Sequence, residues 1–185
     1  MTEAVDSYQE RAIRSGVTEI TDRALVIVRN DPALPGLKKV LGTALPTRHN
    51  RFVEAQDRTI AWVGPDEWMI IGTSGEQGHL CSKLDLALED VHHAVVDVSG
   101  GRTIIRLSGS RARGLLSAAA SLDFHPRAFS PGQCAQTNLT RTDALILMRD
   151  EKPTFDLVVR RSYALYVRNW LCSAATSRST PMAVC

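Results

Sequence analysis

The stretch Val96–Ile105, V-D-V-S-G-G-R-T-I-I, decides how the chain is read. Val96 and Val98 alternate with Asp97, the period of a strand with one apolar face, and this run extends back to His93. Thr103–Leu107, T-I-I-R-L, is a second β-rich run, and Gly100-Gly101 supplies a two-residue turn between the two. The reading is therefore a β-hairpin. Asp97 sits among apolar neighbours, and burying an acid is costly unless it is paired. Arg102 and Arg106 on the facing strand are its expected cross-strand partners, the alternative being that these charges meet a partner subunit or a ligand.

Downstream, Ser108-Gly109-Ser110 caps an Ala- and Leu-rich helix over Arg111–Ala120. Pro126 and Pro131 bend a loop over Asp123–Gly132. Strands follow at Cys134–Leu139, Ala144–Met148 and Thr154–Val159. A last helix, Ser162–Ala174, brings Leu165, Tyr166, Trp170 and Leu171 near one another. Upstream, Ala24–Val28 reads as a strand. Thr59–Val63 and Glu67–Ile71 form a hairpin through the turn residues Gly64-Pro65-Asp66. Leu80, Leu84, Ala87 and Leu88 place one apolar stripe on a helix over Gln77–Asp90. Between Asn30 and Arg51, three prolines and two glycines mark an irregular connection with a helical turn or two at Leu34–Leu41. Strands in hairpin pairs with helices between them predict an α+β fold with mostly antiparallel sheets and three helices.

At 185 residues the chain suits one compact domain or two small lobes sharing a core. It can bury about 70% of the surface its unfolded form exposes, so it needs no disulfide staples. The 22 basic and 20 acidic residues leave a net charge of +2, too balanced for a nucleic-acid footprint. No apolar run approaches the roughly 20 residues of a membrane helix. The polar, acid-bearing N-terminus is unlike a secretory leader. Cys81, Cys134, Cys172 and Cys185 are far apart, without a C-x-x-C pair, which predicts reduced thiols in the cytoplasm.

No constellation carries chemistry, and the reading assigns no catalytic, cofactor or metal residue. Gly100-Gly101 lacks the third glycine and the strand-to-helix setting of a dinucleotide loop. The histidines are His49, His79, His92, His93 and His125. Adjacent His92 and His93 point to opposite faces of a strand and cannot share a metal. His125, in the proline-bounded loop, has no nucleophile or carboxylate arranged beside it and is read as structural or interfacial. Arg127 in the same loop and Arg160-Arg161, where a strand meets a helix, are candidate interface residues. Guanidinium groups suit polar interfaces and carboxylate partners. Trp62, Trp68 and Trp170 are read as packing residues.

Four pieces together resemble one family: Trp62–Ile71 (W-V-G-P-D-E-W-M-I-I), Val96–Ile105, Leu122–Gln136 (L-D-F-H-P-R-A-F-S-P-G-Q-C-A-Q) and Phe155–Tyr163 (F-D-L-V-V-R-R-S-Y). In order and spacing they are similar to the gamma subunit of heterotetrameric sarcosine oxidase, from about Trp62 to Trp170. The resemblance implies a reduced form of the folate-binding, aminomethyltransferase-type fold. It implies a non-catalytic small subunit with a structural role in assembly, in a complex that oxidatively demethylates sarcosine to glycine. The implied partners are the alpha, beta and delta subunits, which carry FAD, FMN, NAD and tetrahydrofolate, with no cofactor on this chain, no nucleic acid and no membrane. A folate-binding or folate-dependent one-carbon transfer protein, or a gamma-like subunit of a related N-methyl amine oxidase or dehydrogenase, remains open by the same kinship. On this reading residues 1–55 hold an N-terminal arm that orders against a partner, the first strand and the irregular connection. Residues 56–172 form the core and 173–185 a disordered tail.

Overall fold

The computed structural model describes residues 16–30 and 35–177. Among these residues ten strands form two five-stranded sheets, and every pairing described within them is antiparallel. Sheet A runs in the order β1 (Val17–Ile20), β7 (Arg102–Ser108), β10 (Thr154–Arg160), β9 (Thr142–Asp150), β8 (Cys134–Leu139). Sheet B runs β3 (Phe52–Ala55), β4 (Arg58–Gly64), β5 (Glu67–Gly72), β2 (Ala24–Arg29), β6 (Ala94–Asp97). Among the described residues four helices accompany the sheets: α1 (Pro35–Leu41), α2 (Gln77–Ala87), α3 (Ala112–Ala119) and α4 (Ala164–Ser177), with a 3₁₀ turn at Arg161–Tyr163 leading into α4.

Strand alternation places three layers of apolar side chains. Leu25, Met69 and Ile71 of sheet B meet Ile104, Leu147 and Val158 of sheet A between the sheets. The outer face of sheet B buries Trp68 and Ile70 under Leu37 and Leu41 of α1 and Leu80 and Leu84 of α2. The outer face of sheet A buries Ile146 and Phe155 under Leu115 and Leu116 of α3 and Val167 and Leu171 of α4. Both faces of each sheet are thus covered, which is why β9 and β10 read as near-continuous apolar runs.

The central hairpin of the sequence reading does not form. β6 pairs with β2 in sheet B (Val26↔Asp97, Val28↔Val95), while β7 pairs with β1 and β10 in sheet A. The segment from Val98 to Gly101 carries the chain from one sheet to the other, and two adjacent strands of suitable composition have stronger partners elsewhere. Asp97 accordingly meets no arginine. It is exposed and accepts hydrogen bonds from the Ser99 backbone N–H (2.9 Å) and hydroxyl (2.5 Å). Ser108-Gly109-Ser110 gives α3 no side-chain cap, since the Ser108 hydroxyl donates to the Gly16 carbonyl.

The described residues up to Ala55 are built into the two sheets and the helix layer over sheet B. Val17–Ile20, read as part of an arm, is a strand on β7, and β3 is a further strand the sequence reading leaves in the connection. The boundary at residue 55 falls within the β3–β4 hairpin, where Ala55 faces Arg58. From residue 35 the connection packs on sheet B: Leu37, Leu41 and Leu45 are buried against Trp68, each contributing about 1.5–3 kcal/mol of burial. Helix α4 continues to Ser177, past the expected tail boundary. Residues 1–15 of the expected arm and 178–185 of the expected tail lie outside the described residues.

The two sheets repeat one pattern. The series β2-α1-β3-β4-β5-α2-β6 is matched by β7-α3-β8-β9-β10-α4, with β1 occupying the place that β6 holds in sheet B. The match extends to the turns. Ala55 faces Arg58 and Leu139 faces Thr142 around two-residue turns, and the first turn residue has positive φ in both, Gln56 at 53° and Thr140 at 58°.

Gly16 is where β1 is pinned. Its φ is +69°, and a Cβ there would lie 2.1 Å from the Ser108 carbonyl oxygen. Gly16→Ala should cost about 2 kcal/mol from left-handed strain and the clash, lowering the melting temperature by about 4–8 °C. Calorimetry checks this, and an unchanged melting temperature would count against the tight approach.

Candidate functional site

The inner face of sheet A carries charge at both ends, with apolar residues between. At the end where β1 begins and β7 ends, β7 and β10 set Arg106 directly opposite Asp156. Asp156 is only 1% exposed. Arg106 donates to it through Nε (2.7 Å) and Nη2 (2.9 Å), and Arg149 Nε donates at 2.7 Å. Arg149 follows Leu145 and Leu147 onto this face by strand alternation, beside a β-bulge between the Thr154 and Phe155 pairings. From there Arg149 crosses to sheet B, donating to Glu54 of β3 and to the Thr59 hydroxyl of β4 (2.8 Å), with its guanidinium over the Phe52 ring.

These groups border a cavity of about 480 Å³. On its sheet B side, Arg58 donates to the Glu76 carboxylate (2.6 Å) and to the Val40 carbonyl (3.1 Å), tying the β4 strand to the connection. Burial alone would push the Asp156 carboxyl up, but the hydrogen bonds and charges of Arg106 and Arg149 outweigh it and hold it below the usual carboxylate range. The hydrogen bond from Arg58 does the same for Glu76. Among the buried thiols, Cys134 is pushed up to about 12 by desolvation, far from a nucleophilic thiolate.

At the opposite end the same strand pair sets Arg102 directly opposite Arg160. Here the neighbours are Gln136, Asn138 and Asp143, lining a second cavity of about 530 Å³. A third hollow, about 410 Å³, lies on the other side of Arg160 against Tyr163 and Arg141. The Arg160 contact to Asp143 is long, 3.7 Å, and both side chains are mostly exposed (62% and 72%).

The four residues singled out in the sequence fall into separate places. His125 and Arg127 are exposed on the loop after α3. The His125 Nδ1 accepts from the Arg127 backbone N–H (3.2 Å), closing a turn, and the Arg127 guanidinium has no partner among the described residues. Phe124 and Phe129 pack this loop on Phe155, at the beginning of β10. Arg160 ends that strand, about 17 Å further along at the rise of an extended chain. The loops therefore do not gather the arginines into one cluster. Arg161 is committed locally, donating to the carbonyls of Gly100 (2.9 Å), Ser99 (3.2 Å) and Arg102 (3.1 Å). Arg161→Ala should cost about 1–2 kcal/mol because three charge-assisted bonds to the sheet crossing are lost at an exposed site. A thermal melt reads this directly, and no change would show the crossing to be held without it.

The Asp156 cluster is what the sequence reading passes over. The signal is the one applied to Asp97: a single acid in an apolar strand, T-F-D-L-V-V-R, with arginines in equally apolar strands at I-I-R-L and L-M-R-D. In α4 the buried face is Ala164, Val167, Leu171 and Ala175, whereas Leu165 and Tyr166, expected among the packed residues, are exposed. Among the described residues no group of three or more histidine, cysteine or acidic side chains could hold a metal ion, and no helix is long and apolar enough to cross a membrane.

Comparison with known proteins follows the same outline. The model of the "Sarcosine oxidase, gamma subunit family" matches residues 29–177. A sarcosine oxidase subunit gamma from an Arthrobacter species is 31% identical over 167 residues, spanning 88% of this chain and 81% of that one. Among solved structures, the heterotetrameric sarcosine oxidase from Corynebacterium sp. U-96, in complex with pyrrole 2-carboxylate, has a chain that superposes with a TM-score of 0.81 at 23% identity, covering 91% of this chain and 87% of that one. Glycine cleavage system aminomethyltransferase T from Bartonella henselae superposes with a TM-score of 0.65 at 14% identity, over 89% of this chain and 48% of its own. These likenesses agree with an α+β fold of the aminomethyltransferase type, with four α-helices among the described residues where the sequence suggests three.

Proposed function

This chain belongs to the sarcosine oxidase gamma subunit family, and from that we propose that it is the non-catalytic small subunit of a heterotetrameric sarcosine oxidase. In that complex it serves assembly, while partner chains demethylate sarcosine oxidatively to glycine. The partners are the alpha, beta and delta subunits, which hold FAD, FMN, NAD and tetrahydrofolate, and the complex works in the cytoplasm. His125 and Arg127 on one loop, and Arg160 at the far end of β10, are its contact residues, with Arg161 supporting the backbone beside Arg160.

One observation carries the non-catalytic reading. Asp156, the buried acid at the 480 Å³ cavity, is saturated by two arginines, one of which, Arg149, also bridges the sheets. A general acid or base needs a pKa near the working pH, and an acid held below the ordinary carboxylate range between two guanidiniums is poorly placed to exchange protons. Its evident work is to join sheet A to sheet B.

The test is co-expression with the three partner chains. The expected results are a four-chain complex that consumes oxygen with sarcosine, and a chain that is colourless and inactive when purified alone. Stoichiometric flavin on the isolated chain would overturn the reading, as would a wild-type chain that never co-purifies with the other three.

A further inference from the structure

We infer that the open end of sheet A's inner face, centred on Arg102 and Arg160, is a docking notch for a carboxylate-bearing segment of a partner subunit. This deepens the assembly reading and rests on it. β7 and β10 place Arg106 opposite Asp156 at one end and Arg102 opposite Arg160 at the other. Directly opposed side chains on one face of an antiparallel pair stand about 5 Å apart at Cβ, and like charges there are destabilising. The first end satisfies itself with Asp156 and Glu54. The second does not.

Arg102 forms no side-chain hydrogen bond or ion pair among the described residues, and Arg160 has only the long contact to exposed Asp143. Arg141, exposed in the β8–β9 turn, adds a third cation to the hollow beside Arg160. Three guanidinium groups thus face one carboxylate. The surplus is positive, so the occupant that complements it is an anion, and a guanidinium pair is suited to grip a carboxylate in two places.

The rim indicates a protein segment. Tyr163 lines the hollow beside Arg160, and Tyr166, one helical turn on, and Leu165 are also exposed, at 40%, 37% and 60%. Tyrosine and arginine around a desolvated centre make the composition of an interface core. Gln136 and Asn138, both exposed on the same face of sheet A, supply neutral donors and acceptors for a backbone passing over it.

The experiment compares the four-chain complex carrying wild type, Arg160→Glu, the double variant Arg102→Glu/Arg160→Glu, or the control Lys83→Glu on the far helix layer. The dissociation constant of this chain from the other three is measured across a salt series, and the melting temperature of each free chain is recorded. We expect Arg160→Glu to weaken assembly at least about 30-fold, with the double variant weaker still. Wild-type binding should weaken with salt and variant binding less steeply. The free Arg160→Glu chain should melt at or slightly above wild type, because a like-charge pair has been removed, and the double variant, which exchanges one like-charge pair for another, should melt near wild type. Lys83→Glu should behave as wild type. Wild-type affinity in both glutamate variants overturns the notch and leaves the assembly reading intact. A wild-type chain that does not assemble sinks both. A free Arg160→Glu chain that melts well below wild type would mean that Arg160 serves this chain's own fold, and would also overturn the proposal.

Discussion

Asp156→Ala is expected to destabilise the free chain by about 3–5 kcal/mol, lowering its melting temperature by about 6–20 °C, because it strands charge in the interior. Arg149 is nearly buried and loses one of its carboxylates, while Arg106 is 42% exposed in its side chain and recovers part of its hydration, which favours the lower half of that range. Total stabilities of about 5–15 kcal/mol make this a large fraction of the whole. Replacing all three groups with apolar residues, as in Asp156→Leu/Arg106→Leu/Arg149→Met, should recover most of the loss, since removing a buried ion network entirely is far less harmful than halving it. Equal losses in the single and triple variants would show that packing, not charge, decides the site.

The same carboxylate sets an acid limit. Its pKa in the folded chain lies below the ordinary value of about 4, so the folded state favours the ionised form. The resulting stability is complete above the unfolded value and is lost as pH falls below about 4 and through the folded pKa. Wild type should therefore lose stability more steeply below about pH 4 than Asp156→Asn, which has no proton to take up. Parallel curves for the two would exclude Asp156 as a source of acid sensitivity.

Trp68→Ala is the second large effect, expected to cost about 3–5 kcal/mol. Trp68 is fully buried in the layer between sheet B and its helices, and its indole Nε1–H donates to the Pro46 carbonyl at 2.8 Å. Trp68→Phe should retain much of the packing but leave that carbonyl without its donor, at a cost of about 1–3 kcal/mol. Hydrogen exchange should then show residues 42–51 opening in both variants, more so in the alanine. Protection unchanged across that segment would show that the leucines alone hold it.

Local signals in the sequence locate most of the elements. The Leu80–Leu84–Leu88 stripe is buried as the helical period requires, and the 59–63 and 67–71 runs pair across their Gly-Pro-Asp turn. Pairing partners are less legible. Gly100-Gly101 between two β-rich runs has the local composition of a hairpin, and only the competition with β2 and β10 takes the runs apart. β1 is short and half polar, and its strand state comes from β7, far along the chain. The charged cluster was hidden for a related reason. Asp97 and Asp156 look alike in sequence, and which one is buried depends on which strand is covered by the other sheet.

The matched halves of the fold carry a consequence for how the chain is made. During synthesis β2 through β6, with α1 and α2, emerge as a contiguous block that contains every strand of sheet B. β1 precedes them all, yet its partner is β7, with Val17 set against Leu107. β1 must therefore wait, unpaired, while one whole sheet is completed behind it. If it is lost or clipped, β7 keeps β10 on one side and presents a bare edge on the other, an invitation to another copy of the chain.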